Sequence, residues 1–177
     1  MRIVSWNCNG GFRRKYQKLL QYKADLYVIQ ECENPADFND AGYKKFAANS
    51  LWVSENKNKG LGIFASSQAT VLEKNLWDTY MLYYFISCRV NKSFDLLAVW
   101  ACKPYIATIY EYLSRNHDKM NENCIVIGDF NSNKMWDDEH GFACHTVVEK
   151  RFNKLGLYSC DTLKDKTLVD EKTPTFY

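Results

Sequence analysis

The stretch IVIGDFNSN at residues 125–133 runs from apolar residues into a glycine, then sets a carboxylate and a carboxamide two positions apart. Three apolar, β-branched residues closed by a glycine read as a buried strand. Alternate residues of a strand share a face, so Asp129 and Asn131 are expected to point the same way where that strand ends. A polar site is therefore expected at the strand's end.

Working outward, 177 residues are enough for one domain with a proper core and too few for a second, so residues 1–177 are read as a single domain. Hydrophobic residues make up 46% and charged residues 25%, which is globular rather than disordered. No apolar run approaches the roughly 20 residues that cross a bilayer, so no membrane span is expected. The start, MRIVSWNCNGG, turns polar too soon for a secretory signal. Seven cysteines, an odd number without a CxxC pair, argue against a disulfide framework and for a reducing, cytoplasmic setting. A net charge of +2 leaves the partner open.

The coarse pattern alternates strands with a few helices. RIVSW (2–6) reads as a strand, FRRKYQKLLQYK (12–23) as a helix with Phe12, Tyr16, Leu19 and Leu20 on one face, and LYVIQ (26–30) as a strand again. LWVSE (51–55), GLGIFAS (60–66), MLYYFISCRV (81–90) and FDLLAVWA (94–101) are further strands between turn-like clusters. A second helix carries Ile106, Ile109, Tyr110 and Leu113, the strand CIVIG (124–128) follows, and a third helix carries Val148, Phe152 and Leu155. Two packed sheets with helices on their outer faces would absorb these elements.

Three polar interruptions each fall at the carboxyl end of an apolar strand: Asn7, Glu31, and Asp129 with Asn131. Sites in sheets of α/β type commonly sit there. Carboxylate and carboxamide oxygens are hard donors that suit Mg²⁺ or Mn²⁺, with Glu31 as a sufficient protein anchor and Asp129 free for proton work. Taken singly, Asn7 reads as a turn former, Glu31 with Glu33 as a solvated acidic pair, and Asp129 as an Asx cap of its turn. Their joint occurrence at three strand ends favours a site.

On SWNCNG (5–10), ADLYVIQE (24–31), GLGIF (60–64), LLAVWA (96–101) and IVIGDFNS (125–132), the chain resembles the endonuclease/exonuclease/phosphatase superfamily. Pancreatic deoxyribonuclease, abasic-site endonucleases, neutral sphingomyelinases and inositol-polyphosphate 5-phosphatases share that fold. The resemblance implies an α+β, four-layer α/β/β/α sandwich of two packed mixed β-sheets with helices outside. It also implies hydrolysis of phosphate esters with a divalent metal. By the same resemblance Glu31 is the metal-binding glutamate, and Asn7 helps position metal and phosphate. Asp129 orients or deprotonates the attacking water, and Asn131 stabilises the phosphoryl oxygens. Neutral amides suit that task, because they stabilise a charged transition state without adding negative charge.

Two departures stand beside these matches. After LLAVWA many relatives place a His or Tyr, whereas this chain reads CKPY, and neither Lys103 nor Tyr105 is assigned a role. The superfamily also ends in an Asp-Tyr strand and a Ser-Asp-His segment, whereas this chain ends in TPTFY. The expectation is thus a domain without its final strands and without the catalytic histidine, open at a sheet edge to self-association. His117 reads as solvated, His145 as a first-turn helix residue, and a zinc site from His140, Cys144 and His145 lacks a second ligand pair. Arg13, Arg14 and Lys15 suit either a phosphate backbone or a solvated face, and Trp136 could stack on a base.

Two functions follow as expectations. One is a divalent-metal-dependent phosphoesterase, a nuclease acting on DNA or RNA, with an incomplete catalytic set. The other is a non-catalytic remnant that binds metal, phosphate or nucleic acid.

Overall fold

The computed structural model describes residues 1–160. The closing TPTFY, and with it the expectation about the final strands, lies outside the described residues.

Among the described residues, eight strands form two four-stranded mixed sheets. The first sheet has the order β1 (Ile3–Asn7), β2 (Leu26–Cys32), β4 (Lys59–Ala65), β3 (Ser50–Asn56), with β1 parallel to β2 and the other pairs antiparallel. The second has the order β5 (Leu72–Lys74), β6 (Phe85–Val90), β7 (Phe94–Trp100), β8 (Cys124–Asp129), with β8 parallel to β7. Helices α1 (Ala41–Phe46), α2 (Ile106–Asn116), α3 (Asp137–His140) and α4 (His145–Lys154), with several 3₁₀ turns, complete the described part.

Three apolar layers separate the four structural layers. Leu26, Val28, Leu61, Ile63, Ile86, Leu96 and Ala98 fill the space between the sheets. Their strand neighbours Tyr27, Ile29 and Phe64 face the other way and pack with Phe12, Leu19 and Tyr43. Leu97 and Val99 likewise turn outward onto Ile106, Ile109, Tyr112 and Val148 of α2 and α4. Because both faces of these strands are buried, they read as continuous apolar runs instead of alternating with polar residues. Each such side chain contributes about 1.5–3 kcal/mol by leaving water, so the inter-sheet layer is a principal source of stability.

Several boundaries differ from expectation. Residues 12–23 form two 3₁₀ segments, Phe12–Arg14 and Tyr16–Tyr22, in place of one α-helix. Lys15 interrupts them at φ −121°, and its ammonium donates to the Cys8 and Gly10 carbonyls, which ties the segment back to the end of β1. Phe12 and Leu19 are buried as the periodicity requires, but Leu20 is exposed. Strand β6 starts at Phe85, not Met81, because buried Asn116 clamps the preceding loop by accepting from Asp78 N–H at 2.8 Å and donating to the Asp78 carbonyl at 2.7 Å. The short β5 and α1 are elements the periodicity does not reveal.

Gly128 explains why the IVIG run breaks where it does. Its φ is +148°, and a Cβ there would lie 1.9 Å from the Val99 carbonyl oxygen of the paired strand. Only glycine lets β8 approach β7 this closely while turning its end toward the other sheet. Gly128→Ala is expected to cost about 3 kcal/mol or more, since backbone strain and a clash with a buried carbonyl add. A drop in the urea midpoint smaller than that of an ordinary surface substitution would contradict this reading.

Candidate active site at the strand ends

β1, β2 and β8 all end at one edge of the sandwich, and β1 of one sheet lies against β8 of the other. Four side chains meet there. The Asn7 amide nitrogen donates to Asp129 Oδ2 at 2.8 Å and to Glu31 Oε1 at 3.3 Å. The Asn131 amide nitrogen donates to Asp129 Oδ2 at 3.2 Å and to the Ala101 carbonyl at 3.1 Å, and the Asn131 backbone N–H donates to Asp129 Oδ1 at 3.0 Å. The Asn7 amide oxygen accepts the Asn9 backbone N–H at 3.0 Å. A backbone N–H can only donate, so that bond fixes which end of the Asn7 amide faces the two carboxylates.

The turn readings of Asn7 and Asp129 and the convergence of the strand-end residues are both present in the structure. Asn7 and Asp129 each close an Asx turn, and each also contributes to the cluster. The solvated pair does not exist. Glu33 is buried, accepts Arg13 N–H at 3.0 Å and Arg13 Nε at 3.3 Å, and lies apart from Glu31 in its bonding.

Glu31 reaches the cluster through a bulge. In the pairing of β2 with β4, Gln30 faces Leu61 and Cys32 faces Gly60, which leaves Glu31 as an extra residue at φ +61°. Strict alternation would send Glu31 to the side of Tyr27 and Ile29, into the apolar layer. Cys32 takes that place instead and packs with them. The bulge re-aims one carboxylate, a known use of such irregularities beside sites. Asp129 needs no such device, since it shares parity with Ile127, which faces the inter-sheet layer. Asn131 at φ +44° is a second positive-φ residue in the same cluster.

Two further residues belong to the site. The Lys59 ammonium stands 2.7 Å from Glu31 Oε2, and this hydrogen bond raises its pKa above the ordinary lysine value. Cys102 lies on the rim, its thiol pushed up to about 11 by burial and then by the negative charges of Glu31, Asp129 and Glu55. Lys59 sits in a turn-like lysine–asparagine run, and no local signal separates it from its solvated neighbours.

The other candidates divide. Arg13 lies over the Phe38 ring and pairs with Glu33, and Lys15 staples the loop after β1, so both serve the frame of the site, while Arg14 is exposed. His117 is exposed, and His145 opens α4 with Nδ1 3.2 Å from Ser132 Oγ, next to Asn131. Trp136 is half-buried in a 3₁₀ turn. Among the described residues no group of three or more His, Cys, Asp or Glu side chains is gathered to hold a metal.

No protein-family model matches the chain, and no curated protein matches it in sequence. Solved structures do match. An AP endonuclease from Archaeoglobus fulgidus superposes with a TM-score of 0.65 at 16% identity, over 100% of this chain and 78% of that one. A 3'-5' exonuclease from Neisseria meningitidis gives 0.59 at 19% identity, over 88% and 70%. The endonuclease domain of a telomere-specific non-LTR retrotransposon gives 0.59 at 17% identity, over 99% and 76%. At 16–19% identity, these likenesses show that the chain shares the fold of these structures. Two mixed sheets with helices make it an α+β fold, the class that the resemblance implied.

The neutrality of residue 7 is what lets two carboxylates from different sheets approach one another. Asn7→Asp would place a third carboxylate 2.8–3.3 Å from the other two. Its folded-state pKa would rise, so the loss of stability is present above that pKa and is relieved as pH falls. Thermal melts should show a loss of about 1–3 kcal/mol at neutral pH that shrinks in mild acid. A pH-independent loss would mean that packing, not charge, sets the requirement.

Proposed function

We propose that this chain is a divalent-metal-dependent phosphodiesterase of nuclease type, with nucleic acid as its phosphate-ester substrate. The observation that carries the reading is the convergence of Glu31, Asp129, Asn7 and Asn131 from two sheets onto one spot.

The donor set fits Mg²⁺ or Mn²⁺. Glu31 and Asp129 supply hard oxygens, and the Lys59 ammonium beside Glu31 marks a position where a cation is favourable. So sparse a set of protein ligands suits an ion that keeps waters and takes substrate phosphate as a ligand. Glu31 is its principal holder, with Asn7 at the margin of the ligand set because the Asn7 oxygen is bound to Asn9 N–H. When bound, the ion supplies charge stabilisation at the phosphoryl oxygens.

Asp129 takes the proton of the attacking water. Asn7 and Asn131 hold its carboxylate in place, both hydrogens of each amide being engaged. Contact of Asn7 with a phosphoryl oxygen requires the exchange of one of its bonds, and the 3.3 Å bond to Glu31 is the longer of the two. The structural neighbours named above include an endonuclease and an exonuclease, which supports nucleic acid over other phosphate esters. The seven cysteines are all free thiols, which fits a reducing, cytoplasmic setting. No helix among the described residues is long and apolar enough to cross a membrane. Self-association is part of the same reading, through β1 or β8, each paired on one side only among the described strands. A purely monomeric sedimentation profile at micromolar concentration removes it.

Two substitutions test the site. Glu31→Gln keeps shape and removes charge, so calorimetry should show severely weakened Mg²⁺ and Mn²⁺ binding with folding retained. Asp129→Asn should lower hydrolysis of a short oligonucleotide by about two to four orders of magnitude with little change in KM, the size of a lost acid–base function. Turnover within a few-fold of wild type would return Asp129 to a turn residue. Metal-dependent binding of the oligonucleotide without turnover by the wild-type chain selects the second reading, a domain that binds without hydrolysis.

A further inference from the structure

Lys59 sits on the one carboxylate that the phosphodiesterase reading gives to the metal. Its backbone is fixed at the start of β4, where Asn56 Oδ1 accepts its N–H at 3.1 Å and the Ser54 hydroxyl donates to its carbonyl. Its stem passes over the loop after β1, with Cε 4.0 Å from where a Cβ on Gly10 would lie. Its ammonium ends 2.7 Å from Glu31 Oε2, and the Lys59 side chain is 51% exposed while that of Glu31 is 16% exposed. A long flexible stem on a fixed backbone can swing its charge over several ångströms. A divalent ion on Glu31 would meet that ammonium at the same oxygen, and two cations cannot share one carboxylate edge without repulsion.

Charge closure points to where the ammonium goes. Glu31 and Asp129 carry two negative charges, which a divalent cation balances. The +1 of Lys59 is then left to balance a phosphodiester, which carries one negative charge. Resting on the phosphodiesterase reading, we infer that Lys59 is an exchangeable counter-ion: it holds Glu31 while the metal is away, is displaced when the metal binds, and then becomes a ligand of the substrate phosphate. Lys59 thereby makes phosphate binding conditional on the metal. Without the metal the ammonium is committed to Glu31, and an incoming phosphate meets the uncompensated charge of Asp129.

The test uses Lys59→Met, which keeps the length of the stem and removes its charge, with Lys59→Arg as the variant that keeps charge. Thermal melts confirm folding, as is expected at a half-exposed position. Calorimetry with Mg²⁺ alone should show affinity about two- to fivefold tighter in Lys59→Met than in wild type, the factor that an ion pair of this exposure represents. Lys59→Arg should stay near wild type. Binding of inorganic phosphate at saturating Mg²⁺ should weaken several-fold in Lys59→Met. Equal or weaker Mg²⁺ affinity in Lys59→Met overturns the competition, and unchanged phosphate affinity overturns the handover. A wild-type chain and a Lys59→Met chain that both bind no Mg²⁺ overturn the metal reading itself, an outcome distinct from either of those.

Discussion

One amide holds the two halves of this molecule's site together. Asn7 ends a strand of the first sheet, and its Nδ2 reaches both Glu31 of the same sheet and Asp129 of the other. Carboxylates brought this close repel one another, and in a partly dry setting the repulsion is weakly screened. A neutral donor between them turns that repulsion into two hydrogen bonds. The inter-sheet apolar layer sets how far apart the sheets stand, and the amide spans the distance that remains.

The frame is built to keep that geometry. Gly128 lets β8 press against β7 so that Asp129 arrives at the right height, and the bulge in β2 lifts Glu31 out of the alternation that would bury it. Lys15 ties the loop after Asn7 to the first 3₁₀ turn, and Asn131 bonds back to Asp129 and to the end of β7. These are short polar contacts at the edge of a large apolar interior. Their energies are small one by one, but each removes a freedom that the cluster would otherwise have. A site of this kind is stiff in its carboxylates and loose in its one long cation, Lys59. That division suits the reaction proposed above, in which metal and phosphate come and go while Asp129 and its amide partners stay still.

Much of this was legible without coordinates. Continuous apolar runs identified strands, and the polar residues that closed three of them are ones that meet at one edge of the sandwich. Asp129 is the clearest case: its parity with Ile127 puts it on the inner face by counting alone. Glu31 is the opposite case. Counting places it in the apolar layer beside Tyr27 and Ile29, and the bulge that moves it arises from pairing with Gly60 and Leu61 about thirty residues away. The start of β6 was misplaced for the same reason, since the aromatic content of residues 81–84 reads as strand while Asn116 on a distant helix holds the preceding loop.

The sequence by itself determined the class of the fold, the residues that could do chemistry, and the hard-oxygen character of the site. These follow from composition, periodicity and the chemistry of side chains, all of which are local. Tertiary structure alone decided which of those residues meet, that Glu33 is a buried structural partner of Arg13 and not a companion of Glu31, and that Lys59 belongs to the site at all. Charge pairing depends on distances of a few ångströms, and distances between residues far apart in the chain are set by how two sheets pack. Nothing in a run of lysines and asparagines records which one will stand 2.7 Å from a glutamate on another strand.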